Sequence, residues 1–191
     1  PGAPVKYRLG NEADTFVELG VDYHFSLPTS LTNKETTPDF QLVAMLQSYA
    51  PFGESNQLGI DSISQLYIKV DDLIASGVDV WMGRRYYGRR EIHLNDYFWL
   101  NSGQGAHAGA GIEGIDTGLG KFHAAVFMIE DKLDAAGPHI NTTTLDLRHD
   151  GMAIGETGEI GFWLYAAFRH EEVELNLEGR DGYGFGLWHQ D

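Results

Sequence analysis

From Phe16 to Leu27 the apolar side chains fall on every second position: Val17, Leu19, Val21, Tyr23, Phe25 and Leu27 share one side, while Phe16, Glu18, Asp22, His24 and Ser26 share the other. A period of two is the geometry of a β-strand, whose successive side chains point to opposite faces. The pattern recurs along the chain. Leu66, Ile68 and Val70 oppose Gln65, Tyr67, Lys69 and Asp71; Thr143, Leu145 and Leu147 oppose Thr144, Asp146 and Arg148. Ile160, Phe162, Leu164, Ala166 and Phe168 oppose Glu159, Trp163, Tyr165 and Arg169, and Val173, Leu175 and Leu177 oppose Glu172, Glu174, Asn176 and Glu178. With 24 glycines marking turns and no long helical period, the chain reads as all-β.

The polar faces carry aromatic rings among their charges, and this separates two architectures. A soluble sandwich alternates as well, but its solvated faces rarely repeat Trp, Tyr and Phe between charges. A barrel with lipid outside and water inside does both. No segment approaches the roughly 18 apolar residues of a membrane-spanning helix, a criterion that leaves a transmembrane barrel open. Loops are expected at 28–38, 50–60, 101–114, 131–141, 155–158 and 179–183, alternating long and short as in an outer-membrane barrel. Residues 1–191 read as a single domain, low in complexity only at the Gly/Ala-rich stretch 103–111.

Charge narrows the partners. Against 13 basic residues stand 28 acidic ones, a formal net charge of -15, which disfavours nucleic acid and anionic membrane surfaces and suits a neutral or cationic solute. Cysteine is absent, so there is no disulfide framework and no thiolate metal site. The start, Pro1 to Pro4, lacks a basic segment followed by an apolar one, so a secretion signal is expected to have been removed or to lie outside this sequence.

The block Trp81 to Asp96 is the sharpest local signal, dense in arginine, carboxylate and aromatic residues. Run as strand, turn, strand, it would set Arg89, Glu91 and His93 on one side, with a bulge bringing Asp96 and Phe98 to the same side. Arginine and carboxylate groups facing water can exchange donor and acceptor hydrogen bonds with sugar hydroxyls. A solvated ion-pair cluster explains the same residues. Rings at Phe16, Tyr67, Phe98, Trp163 and Tyr165 could stack on the C–H faces of pyranoses through weak contacts that tolerate sliding, or could fill a core or an interfacial girdle. Catalytic signals are poor: the run from His170 to Glu172 is not a zinc-protease spacing, and no nucleophile elbow or phosphate loop is present. No catalytic residue, metal ligand or cofactor is assigned.

Several of these blocks together resemble the maltoporin family of sugar-specific outer-membrane porins. Lys6 to Glu12, Thr15 to Leu19, Trp81 to Asp96 and Gly114 to Lys121 match it in order and at nearly its spacings, the close match covering 6–20 and 78–126. The resemblance implies an antiparallel transmembrane β-barrel of about eighteen strands in the bacterial outer membrane, associated as a homotrimer. It implies passive diffusion of maltose and maltodextrins along an aromatic track flanked by polar residues. Carried over by position, Phe16 stands in that track and Phe98 replaces a constriction tyrosine, losing its hydroxyl. Arg8, Glu18, Arg89, Glu91, His93 and Asp96 match polar track or constriction residues, and Glu91 is longer than the usual aspartate. Tyr67 joins the channel-lining set from the alternation of its own strand.

Length sets the last expectation. At about 20 residues per strand and connection, 191 residues supply some eight or nine strands, and a closed eight-stranded barrel is filled by its own side chains. The chain is therefore expected to be a slice of the large barrel, lacking the family's first strand before Lys6 and the terminal aromatic after Asp191. The alternative architecture is a soluble carbohydrate-binding β-sandwich, with a glycosidase as a third reading.

Overall fold

A computed structural model of the chain describes residues 14–26, 38–51, 62–92, 97–99, 102, 106–132, 139–170 and 179–190. The described residues form eleven strands: β1 (Asp14–Ser26), β2 (Asp39–Pro51), β3 (Ser62–Val70), β4 (Asp79–Arg84), β5 (Arg90–Ile92), β6 (Tyr97–Trp99), β7 (Ala106–Asp116), β8 (Lys121–Lys132), β9 (His139–Ile154), β10 (Gly158–Arg169) and β11 (Arg180–Gln190). Nine of them build one antiparallel meander in the order β1-β2-β3-β4-β7-β8-β9-β10-β11, while β5 and β6 pair only with each other. The nine strands of this all-β antiparallel sheet match the expected eight or nine. Among the described residues β1 and β11 are its two edges, each with one neighbour.

Register carries the alternation from strand to strand. Val21 pairs with Ala44, Ala44 with Leu66, Ile68 with Met82, Met82 with Ala110, Ala110 with Val126, Val126 with Leu145, Leu147 with Leu164 and Leu164 with Phe185. These residues share one face, which is apolar across all nine strands and open to its surroundings: Leu19 is 62% exposed, Met82 63% and Phe185 84%. In water so wide an apolar patch would drive association; against hydrocarbon it is the favoured outer surface of a barrel. Aromatic side chains gather near both ends of this face. Tyr23, Phe25 and Phe40 stack at one end with centroids 5.9 and 5.2 Å apart, and Phe168 meets Tyr183 edge-on at the other.

Two expected loops are largely strand instead. The loop expected at 101–114, with its Gly/Ala-rich stretch, is β7 from Ala106 onward, and the one expected at 179–183 is β11 from Arg180 onward. In β7 the reason is steric. A Cβ on Gly109 would lie 2.5 Å from Phe127 Cδ1, so the small residues leave room for rings lying across the strand and do not mark a turn. The expected strand over 172–178 lies outside the described residues. Short turns at 117–120 and 155–157 share one end of the sheet with longer connections at 27–38 and 71–78. At the opposite end, the long connection between β4 and β7 carries the β5–β6 hairpin and folds over the second face of the sheet.

Candidate functional site

The second face is polar and holds most of the burial that the described residues show. Its centre is a ring cluster of Trp81 on β4, Tyr87 on the infolded connection and Phe127 on β8, with centroids 5.3, 5.7 and 5.5 Å apart. All three are buried. The glycines that alternate with alanines in β7 make this possible, since Gly109 and Gly111 point their missing side chains into the space the rings occupy. Where β4 gives way to the infolded connection, Gly83 adopts φ 128°, and a Cβ there would overlap the Leu66 carbonyl oxygen. A residue with a side chain would be strained at that point.

Charged groups surround the rings. The Arg85 guanidinium lies 5.0 Å from the Tyr67 centroid, 5.1 Å from Trp81 and 5.8 Å from Tyr87, and its Nη1 donates to Glu113 Oε2 at 2.7 Å. Gln65 Oε1 accepts from the Tyr86 backbone N–H at 3.0 Å. Lys69 Nζ reaches Asp71 and Asp79, each at 2.8 Å. His123 Nδ1 accepts from the Gly114 N–H at 3.2 Å, which leaves Nε2 to donate to Asp150 Oδ1 at 3.3 Å. Burial first, and then the charges of Glu113 and Asp146, push the Tyr87 phenol above its ordinary value, so it is neutral at physiological pH.

The infolded connection is tied to the far side of this face. Asp146 and Arg148 on β9 form a buried fork, Nε to Oδ1 at 2.7 Å and Nη2 to Oδ2 at 2.8 Å. Arg148 also donates to the Gly88 carbonyl at 2.6 Å and the Tyr87 carbonyl at 3.3 Å. Asp146 accepts from Ser102 Oγ and, at 2.6 Å, from Trp163 Nε1. Near the short-turn side of this anchorage, the Arg90 guanidinium covers the Trp188 ring at 4.7 Å. Between connection and sheet lies a cavity of about 120 Å³ bounded by Gly88, Glu113, His123 and Asp150, with room for a few waters.

The residues expected to line a pathway are distributed as follows. Glu18 is exposed on the polar face of β1, paired with Gln47. Phe16 occupies β1 opposite Tyr49 in register. Tyr67 is half-buried on β3, one face of its ring under Arg85. Arg89 precedes β5 instead of continuing it, and its guanidinium lies 4.3 Å from the Tyr86 centroid. In the hairpin, register sets Glu91 opposite Phe98. The structure thus gathers Arg89, Glu91 and Phe98 on the infolded connection and leaves Phe16 and Glu18 on an edge strand. Arg8, His93 and Asp96 lie outside the described residues.

The reading from sequence did not single out Arg85, Tyr87, Glu113, Asp146 or Arg148. Asp146 and Arg148 look like the solvated half of an alternating strand, and only the return of the connection over β9 buries them. A signal existed in principle: an acid and a base two residues apart on the face that also bears Trp163. Among the described residues no group of three or more His, Asp or Glu is placed to hold a metal ion.

Comparison with known proteins agrees with this architecture. The model of the LamB porin family matches residues 1–191. A maltoporin of Hahella chejuensis is 32% identical over 167 residues, covering 82% of this chain and 37% of that protein. A maltoporin of Vibrio cholerae serotype O1 is 29% identical over 177 residues, covering 92% of this chain and 39% of that protein. The chain therefore spans about two fifths of the length of these curated relatives.

Proposed function

Because this chain belongs to the LamB porin family of outer-membrane β-barrels, we propose that it forms part of the wall and constriction of a sugar-specific channel. The solutes are maltose and maltodextrins or related oligosaccharides, and passage is passive diffusion without catalysis. The observation that carries this reading is the two-faced sheet. Its outer face is continuously apolar, and its inner face bears aromatic rings among arginines and carboxylates beneath an infolded connection.

Such an inner face suits a sugar chain. Rings offer dispersion contact to C–H faces, and charged groups exchange hydrogen bonds with hydroxyls, each contact weak enough to release. The lining set comprises Arg8, Phe16, Glu18, Tyr67, Arg89, Glu91, His93, Asp96 and Phe98. Outer-membrane lipid covers the apolar face, and three copies associate as a homotrimer. The soluble sandwich is not favoured, because no second layer covers the apolar face among the described residues.

The intact protein reconstituted in planar bilayers tests the reading. It is expected to conduct ions and to be blocked by maltodextrins; a conductance indifferent to every sugar tried would remove the specificity, and failure to insert into lipid would remove the channel.

A further inference from the structure

We propose that Asp146 and Arg148 are positioning residues, a two-pronged clasp on β9 that sets how far the infolded connection stands from the sheet and hence the width of the passage beside the β5–β6 hairpin. The inference rests on the channel reading above. Residues two apart on a strand share a face, so both side chains rise from β9 on the inner side. From β7 to β9 is two strand spacings, about 9.5 Å, so the connection crosses β7 and β8 before it is gripped.

The two prongs hold the two legs of the connection. Arg148 has donors left over after its fork with Asp146, and it spends them on the carbonyls of Tyr87 and Gly88, in the outgoing leg. Asp146 takes the hydroxyl of Ser102, in the returning leg. Carbonyls are backbone groups, so the grip fixes the path of the chain independently of the side chains along it. Gly88 is shaped for the contact: its φ is 54°, and a Cβ there would overlap the guanidinium. Asp146 and Arg148 are buried together with Tyr87 and Ser102. Their effect on a solute is therefore exerted through the hairpin they hold.

Single-channel recording of the intact protein in planar bilayers distinguishes positioning from mere stabilisation. The variants are Arg148→Met, Arg148→Lys, Ser102→Ala and Gly88→Ala, each first shown to fold by its heat-modifiable mobility. Arg148→Met is expected to raise open-channel noise, change the conductance and weaken maltodextrin block by about tenfold. Arg148→Lys keeps the charge but not the fork and falls between it and the parent. Gly88→Ala drives a Cβ into the Arg148 guanidinium and breaks its grip on the connection without altering any charge, so it reproduces the altered conductance and noise; Ser102→Ala moves the same readouts in the same direction by less. Should Arg148→Met not fold, Gly88→Ala and Ser102→Ala decide the matter. Folded Gly88→Ala and Ser102→Ala channels with parental conductance, noise and block overturn the clasp. A parent channel that no sugar blocks defeats the sugar reading instead, and the conductance and noise comparison still tests the clasp.

Discussion

The indole Nε1 of Trp81 lies 2.6 Å from the point that a Cβ on Gly111 would occupy. The ring cluster on the inner face therefore depends on a strand that has no side chain at that position. Gly111→Ala forces Trp81 or the neighbouring backbone to shift, an overpacking expected to cost about 1–3 kcal/mol. Gly20→Ala is the control: its Cβ would meet only Met45 Cε, at 3.7 Å, and it should change stability by less than about 0.5 kcal/mol. Urea unfolding of the intact protein from lipid vesicles measures both. Equal effects at the two glycines would show that Trp81 is free to repack.

The outer face gives the second prediction. Val126 lies within β8, paired with Ala110 and Leu145 on the apolar side. Val126→Arg places a charge on the face proposed to meet lipid and is expected to cost about 2–4 kcal/mol. Glu18→Arg, on the exposed polar side of β1, should cost far less. The same vesicle-based unfolding compares them, and a comparable loss at Glu18 would contradict the assignment of faces.

Much of this arrangement is legible in the residues. The alternation around Val17 to Phe25, Leu66 to Val70, Leu145 to Leu147 and Ile160 to Phe168 places the outer face correctly, because a period of two needs no knowledge of neighbours. β7 is not legible for a physical reason. Its glycines are explained by Phe127 and Trp81, which reach it from other strands, whereas a local reading takes glycine as a turn. The infolding of the connection is equally non-local. Trp81 to Asp96 carries the composition of a strand pair, yet β5 and β6 are three residues each, and Tyr87 and Gly88 between β4 and β5 are held by Arg148 some sixty positions away. Composition marks the candidate site, and only the fold identifies its anchors.

Tyr87 links stability to alkaline pH. Its hydroxyl is buried with no hydrogen-bond partner among the described residues, and burial raises its pKa above the ordinary 10.0. Once the pH exceeds that value the unfolded phenol ionises while the folded one stays protonated. The unfolded state then binds fewer protons, so the Tyr87 contribution, fully present below about pH 10, declines as pH rises. Tyr87→Phe should remove that part of the decline and, by deleting an unsatisfied hydroxyl, hold or raise stability at neutral pH by up to about 1 kcal/mol. Unfolding midpoints on either side of pH 10 check it; a parent and variant declining in parallel would exclude Tyr87 as a source.

The Asp146–Arg148 fork is the strongest candidate for a strongly coupled pair. Both side chains are buried, so removing either partner strands the other charge in a region with little solvent to screen it, and each single change, Asp146→Asn or Arg148→Met, should cost about 3–5 kcal/mol. The double change leaves no buried charge and should cost less than the two single losses added together. A double-mutant cycle on the intact protein in vesicles reads the difference as a coupling energy. Because the pair is shielded, that coupling should persist when the ionic strength is raised. Strict additivity would mean that the two side chains act independently, with Arg148 serving the Tyr87 and Gly88 carbonyls and Asp146 serving Ser102 and Trp163 without mutual support.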